Sequence, residues 1–376
     1  MNKNFILAVA TLVGAIVGLG MFGIPYTASK AGFFVGIGYI VVLGFVMLIL
    51  HLIYGEVVER TKEKHRLTGY AEKYLGAKWK KVVGPIIILS IYSALLAYII
   101  VGGKFLALIF PGFASPFIFS IVFWLVLSIA VWRGIRTVAG VELAMAGLLL
   151  LLVIILFAFG AGSINNENFY SFELADFFLP YGVVLFAFAG ILAIPEVREL
   201  IKMDGRQYKK AIILGTLIPM AVYILFTVLV VGISGTGTSH EALAGLSGIL
   251  SSGAIRIGAV FGILALATSY LVLGLNLKHT FEYDWKTKKV FAGAMVTVVP
   301  ILLFIGGIEQ FIEIISFSGA VFGAIFAVLI ILIYKKTLTH GDKEPGYTLS
   351  VPKLLLWGLV GLFALGGVYE IIYLIR

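Results

Sequence analysis

Residues 14–25 read Gly14-Ala-Ile-Val-Gly18-Leu-Gly20-Met-Phe-Gly23-Ile-Pro25, inside a first apolar run where a membrane helix would ordinarily continue unbroken. Four glycines and a proline in these twelve residues weaken a helix, since glycine gives up backbone entropy and proline lacks an amide donor. Hydrocarbon tolerates such a stretch only where the freed backbone groups line a cavity or meet a ligand. Two readings stand: an unwound, ligand-facing break at residues 18–23, or a glycine face for close helix packing.

The surrounding composition sets the class. Apolar residues make up 61% of the 376 and charged residues only 12%, with a mean hydropathy of +1.09. Apolar runs of helical length then specify a polytopic, all-α membrane protein. Their length excludes an outer-membrane barrel, whose strands are about ten residues long and alternate. The first run is too long for a signal peptide and lacks a convincing small-residue cleavage site. Without cysteine there is no disulfide, thiolate metal site or cysteine nucleophile.

Eleven spans are expected, near 5–29, 33–57, 82–109, 115–132, 138–161, 177–195, 211–233, 251–277, 289–306, 311–334 and 352–374. With a cytoplasmic N-terminus, 24 of the 28 lysines and arginines fall on the cytoplasmic side, leaving Lys30, Lys104, Arg256 and Arg376. The outer loop 162–176 is acidic, with Glu167, Glu173 and Asp176. This asymmetry predicts the orientation, with the C-terminus outside, and supports the span count. The net charge of +9 therefore reads as topology, with some attraction to anionic lipid, and not as a nucleic-acid surface. The loops 60–81, partly helical, and 234–250, with a short helical patch at Glu241–Leu246, read as connectors.

A second break is expected in the sixth span, Phe186-Ala-Phe188-Ala189-Gly190-Ile-Leu-Ala-Ile-Pro195-Glu196. Glycine, isoleucine and proline of Gly20–Pro25 recur in Gly190–Pro195 at an offset of 170 residues. Five spans separate the two, so the segments enter the membrane from opposite sides. Interrupted helices in corresponding positions of two antiparallel halves point to an inverted-repeat transporter and its central site. The chain divides accordingly into a first five-helix repeat (1–161), an inverted second repeat (162–334), and a linker with an eleventh helix (335–376).

The first span, Gly14 to Gly32, resembles the opening of the hydroxy/aromatic amino-acid permease family, whose members include tryptophan and tyrosine permeases. That family belongs to the amino acid/auxin permease group of the amino acid–polyamine–organocation superfamily. The similarity continues through residues 69–76, 93–103, 182–190, Ile194-Pro-Glu196, Ala267-Thr-Ser-Tyr270 and Ser318-Gly-Ala320, in order along nearly the whole chain. It implies a LeuT-like fold of five plus five helices with an eleventh appended, and secondary amino-acid transport in the cell membrane.

The breaks suit a zwitterion. Free amides at a half-helix N-terminus favour a carboxylate, and free carbonyls at a half-helix C-terminus favour an ammonium. Gly20, Met21 and Phe22 are the expected donors; carbonyls near Ala15 to Gly18 and Phe186 to Ala189 are the expected acceptors. Neither break contains the carboxylate or imidazole ligands a divalent-metal carrier would need, and no cofactor is expected. The resemblance implies a side-chain pocket from the third, sixth, eighth and tenth spans. Ser90, Ser93, Ala94 and Ala97 share a face with Tyr98 at its margin, either lining the pocket or packing helices. Phe188 is read as a lid over the substrate, and Ser316, Gly319 and Gly323 as widening the pocket or letting helices approach. Gly18, Gly190 and Ala189 complete the substrate set.

Thr268 and Ser269 fall where sodium-coupled relatives of the fold use paired hydroxyls. Some proton-dependent or uncoupled relatives place a lysine on the fifth span, where counting from Arg136 puts Met145 here. The family resembled is taken to be proton-coupled with a similar pair, so the expectation is a proton, with sodium as the alternative. Among the acids, Glu56, Glu59, Glu142 and Glu196 lie near the cytoplasmic face with Arg60, Arg133, Arg136 and Arg198 as partners, either as gates or as surface pairs. Glu196 is the gating candidate. Glu309 and Glu313 complement a helix N-terminus, and Glu370 has no evident partner. An intramembrane enzyme is not expected, since His51 and His279 are isolated. The remaining alternative to a transporter is an amino-acid sensor of the same fold.

Overall fold

The computed structural model describes residues 3–134, 139–201, 205–246 and 249–375. Arg136 and the side chains of Glu142 and Met145, all weighed above, lie outside the described residues. The chain is almost wholly helical. The first apolar run is interrupted as its glycines require: α1 (Lys3–Ile16) stops, residues 17–19 leave the helix, and α2 (Gly20–Ala31) departs at 51°. Gly32, at φ 112°, makes the turn into α3 (Phe33–Glu59), a conformation that side chains with a Cβ rarely adopt.

A short α4 (Leu67–Leu75) lies in the basic connector and leads through Gly76, at φ 104°, into the long α5 (Ala77–Ile109). Then follow α6 (Pro116–Trp132), capped by the Ser115 hydroxyl, and α7 (Ala139–Gly160). The second interrupted span consists of α8 (Leu179–Ala187) and α9 (Ile194–Ile201), separated by residues 188–193. The remaining helices are α10 (Gly205–Ser234), α11 (Ser252–His279), α12 (Lys289–Ile305), α13 (Phe311–Phe317), α14 (Gly323–His340) and α15 (Lys353–Ile375). A π-helical turn, Ser318–Phe322, joins α13 to α14.

Among the described residues, seven helical runs are long and apolar enough to cross a membrane, and the bent α1–α2 pair makes an eighth. Three shorter apolar helices, Pro116–Trp132, Leu150–Ser163 and Lys289–Ile305, occupy the other expected spans. The protein is an integral membrane protein. The two interrupted spans pack at its centre, α1 against α9 and α10, and α2 against α8.

The recurrence at an offset of 170 residues locates both breaks but not their register. The first break is three residues long and the second six, so Pro195 stands in the first turn of α9 while Pro25 lies deeper inside α2. The loop 235–250 is more than a connector. Its helical patch is only a 3₁₀ turn, Ala244–Leu246, and Ala242, Leu243 and Leu246 are fully buried.

Candidate functional site

The breaks meet across very short distances. A β-carbon on Gly20 would lie 2.5 Å from the Ala187 Cα, and one on Gly190 would lie 2.5 Å from Ile16 Cγ1. The start of α2 therefore abuts the end of α8, and the end of α1 abuts the second break. Only glycine permits either approach.

At the first break the amides of Gly18, Leu19 and Gly20 have no backbone partner among the described residues. Those of Met21 and Phe22 are already committed, to the carbonyls of Gly18 (3.2 Å) and Leu19 (3.1 Å). The expected donor set of Gly20, Met21 and Phe22 is thus shifted toward the N-terminus, because α2 opens with a tight i to i−3 turn. The acceptors are also narrowed. The Phe186 carbonyl accepts from Ala189, that of Phe188 from Gly190, and that of Gly18 from Met21. The Ile16 and Ala187 carbonyls both face the Tyr223 hydroxyl, at 2.7 and 2.8 Å. Gly14, Ala15 and Val17 keep carbonyls without a backbone partner among the described residues.

These groups border a cavity of about 210 Å³. Of the residues singled out in the sequence, Gly18, Gly20, Tyr98, Phe186, Ala189, Gly190, Glu196, Thr268 and Ser269 line it. Met21, Phe22, Ser93, Phe188 and Ser316 do not. Phe22 is fully buried against Phe105 and Phe226, with ring centroids at 4.9 and 5.8 Å. The Phe188 ring turns away to pack edge-on against Tyr223, at 5.2 Å, and it is Phe186 that borders the cavity. Ser93 returns its hydroxyl to the Leu89 carbonyl, while Ser90, Ile91, Ala94 and Tyr98 present the lining face of α5. Ser316 lies behind α8, against Gly182, where it borders a small crevice with Glu370, which is buried in α15. Gly319 and Gly323 do line the cavity.

Ser269 lies within van der Waals reach of Gly18, at 3.7 Å from the position of a Gly18 β-carbon, and shares the cavity lining with Tyr98. Thr268 spends its proton on the Ala265 carbonyl at 2.9 Å, leaving lone pairs on its oxygen.

Sequence reasoning missed Asn276, Ser318 and Phe363 in the lining. Asn276 was detectable, because it continues the i, i+4 stripe Thr268–Val272–Asn276 on α11. Phe363 comes from the appended α15, which no repeat logic places at the centre.

The cavity closes at one end and extends toward the other. Toward the acidic loops, Phe22 and its aromatic partners seal the breaks, Tyr26 packs against His240 with the rings tilted and their centroids 4.3 Å apart, and Lys104 pairs with Glu241 at 3.2 Å. Toward the basic loops the lining reaches Asn276 and Glu196, the latter 3.2 Å from Arg66. At that end Glu59 pairs with Arg198 and accepts from the Gly346 amide. Glu56 pairs with Arg60 at 2.6 Å and accepts from the Leu349 amide at 2.8 Å. These acids are buried, so they are not plain surface pairs. The linker between α14 and α15 is stitched onto α3 through them.

The chain matches known proteins along nearly its full length. The sequence profile of the tryptophan/tyrosine permease family matches residues 1–368. The chain belongs to that family. Tyrosine-specific transport system 1 of Haemophilus influenzae is 22% identical, over 96% of this chain and 96% of its own length. The tryptophan-specific transport protein of Shigella flexneri is 24% identical, over 95% and 90%. Glutamine transporter 2 of Aliivibrio fischeri is 23% identical, over 97% and 98%. Among solved structures, the crystal structure of MhsT in complex with L-phenylalanine superposes with a TM-score of 0.66 at 18% identity, covering 99% of this chain and 98% of that one. The fold is LeuT-like, and the chain is a permease, not an enzyme.

Proposed function

We propose that this permease moves an amino acid across the plasma membrane by alternating access, as an ion-coupled symporter. The carrying observation is that amides (Gly18, Leu19, Gly20) and carbonyls (Gly14, Ala15, Val17) without a backbone partner among the described residues border one cavity together. Glu196 is the single charged residue among the lining residues. A zwitterion is the ligand whose two charges both find partners there.

The lining includes Ile91, Leu185, Phe186, Phe322, Phe326 and Phe363, which supports a large apolar or aromatic substrate side chain. Two of the three relatives named above are specific for tyrosine or tryptophan, while the third is a glutamine transporter. All three are named for transport, and nothing in them supports the sensor alternative.

With the basic loops cytoplasmic and the C-terminus outside, the cavity faces the cytoplasm and the aromatic seal faces outward. Transport then requires the seal at Phe22, His240 and Glu241 to open as the buried pairs at Glu56 and Glu59, with Glu196, close the inner side. One helix bundle rocks against the other around the two breaks.

The coupling ion is read as a proton, on the family resemblance, with the oxygens of Thr268 and Ser269 as the place for sodium in the alternative. Uptake of tyrosine, tryptophan and glutamine into proteoliposomes, under separate proton and sodium gradients, tests both points. Accumulation that persists without sodium and collapses when the proton gradient is dissipated is expected. Accumulation that requires sodium overturns the proton reading.

A further inference from the structure

We infer that Tyr223 is a positioning residue that holds the ends of the two half-helices at the separation needed to receive the substrate's ammonium group. This rests on the amino-acid reading above. Tyr223 sits on α10, is fully buried, and lies outside the cavity lining. Its hydroxyl reaches the carbonyl of Ile16, the last residue of α1, at 2.7 Å and that of Ala187, the last residue of α8, at 2.8 Å. One side chain on a third helix thus clamps both C-terminal ends that precede the breaks. The ring is held in turn by Phe188, from the second break itself, at 5.2 Å.

The proton count makes the clamp specific. A phenol carries one proton, and two carbonyl oxygens lie within hydrogen-bond distance of it. At any moment one helix end has no full donor, and both ends carry the negative pole of their half-helix dipole. The adjoining carbonyls of Gly14 and Ala15 border the cavity without backbone partners among the described residues. An ammonium brings three donors to these carbonyls. The amides of Gly18 to Gly20, the groups read as receiving the carboxylate, are not bonded to Tyr223. Removing the hydroxyl therefore disturbs the ammonium half of the site and spares the carboxylate half.

The test compares ligands that differ only in the ammonium. Binding of L-tryptophan and of indole-3-propionate, and of L-tyrosine and 3-(4-hydroxyphenyl)propionate, is measured on purified wild-type protein and on Tyr223→Phe. The substitution is expected to weaken the amino acids about tenfold, the size of one hydrogen bond to a charged group, and the des-amino acids less than about twofold. Equal weakening of both ligands, or no change in either, overturns the inference. Should Tyr223→Phe fail to fold, Phe188→Leu removes the supporting ring and keeps the hydroxyl. It should give a smaller loss confined to the amino acids, and a uniform loss again overturns the inference. If wild-type protein binds no amino acid, it is the amino-acid reading that fails, not the clamp.

Discussion

The Cα of Ala187 lies 2.5 Å from where a β-carbon on Gly20 would sit. This contact places the N-terminal end of one half-helix directly on the C-terminal end of another, so opposite helix poles share one cavity wall. Neither a packing glycine nor a ligand-facing break describes residue 20 fully, because it is both.

Gly20→Leu is therefore expected to abolish substrate binding while membrane insertion persists, since the clash is local and against backbone. Overpacking of this kind costs about 1–3 kcal/mol. Gly18→Ala is the control: its β-carbon meets only Ser269 Oγ, at 3.7 Å, an ordinary contact. It should fold as the wild type does. Ligand-binding measurements on the two membrane-inserted variants check the contrast, and normal binding by Gly20→Leu would return the stretch to a packing role.

Buried and exposed ion pairs at the basic end should differ sharply. Glu59→Gln leaves Arg198, whose side chain is only 16% exposed, without its counter-charge. A loss of about 3 kcal/mol follows. Lys64 and Glu199 are 77% and 42% exposed, and Lys64→Ala should cost less than about 1 kcal/mol. Thermal midpoints in detergent, measured side by side, decide the comparison.

Stability should also depend on pH through His240. Burial chiefly, with Lys104 and Lys30 adding to it against the opposing Glu241, holds its imidazole below its ordinary value of 6.5. The folded protein thus binds the proton less readily than the unfolded chain. His240 contributes its full stability above pH 6.5, and that contribution is lost as pH falls below it. The thermal midpoint of the wild type should fall between pH 8 and pH 5 more than that of His240→Gln, the pH values spanning the ordinary histidine range of about 6.5.

Glu196 is expected to act on access and not on recognition. It lines the inward end of the cavity, opposite Arg66, and lies beyond the breaks. Glu196→Gln should alter the maximal uptake rate several-fold, about one to two hydrogen bonds' worth of bias between states, with little change in substrate binding. An equal loss in both would place Glu196 in the substrate site instead.

What could be read beforehand was backbone chemistry. Glycine and proline declare where a membrane helix breaks, and the recurrence at Gly190–Pro195 located the partner. What could not be read was orientation around the helix axis. A helix turns about 100° per residue, so a one-residue error exchanges Ser93, outside the lining, for Ala94, within it. Phe186 and Phe188 stand two residues apart at the end of α8, about 200° around a helix, so only Phe186 borders the cavity. Tyr223 gave no signal at all: it is an ordinary tyrosine in an apolar span until the fold brings Ile16 and Ala187 to it.

The claim that backbone groups of the two breaks hold a zwitterion is tested most directly by removing each charge from the ligand in turn. Wild-type protein is assayed for competition by L-tryptophan, its methyl ester, and indole-3-propionate, with the tyrosine series in parallel. Loss of either charge should weaken binding about a hundredfold or more, since each is worth about two charge-assisted hydrogen bonds. An ester or a des-amino acid that competes as well as the parent amino acid would contradict the account.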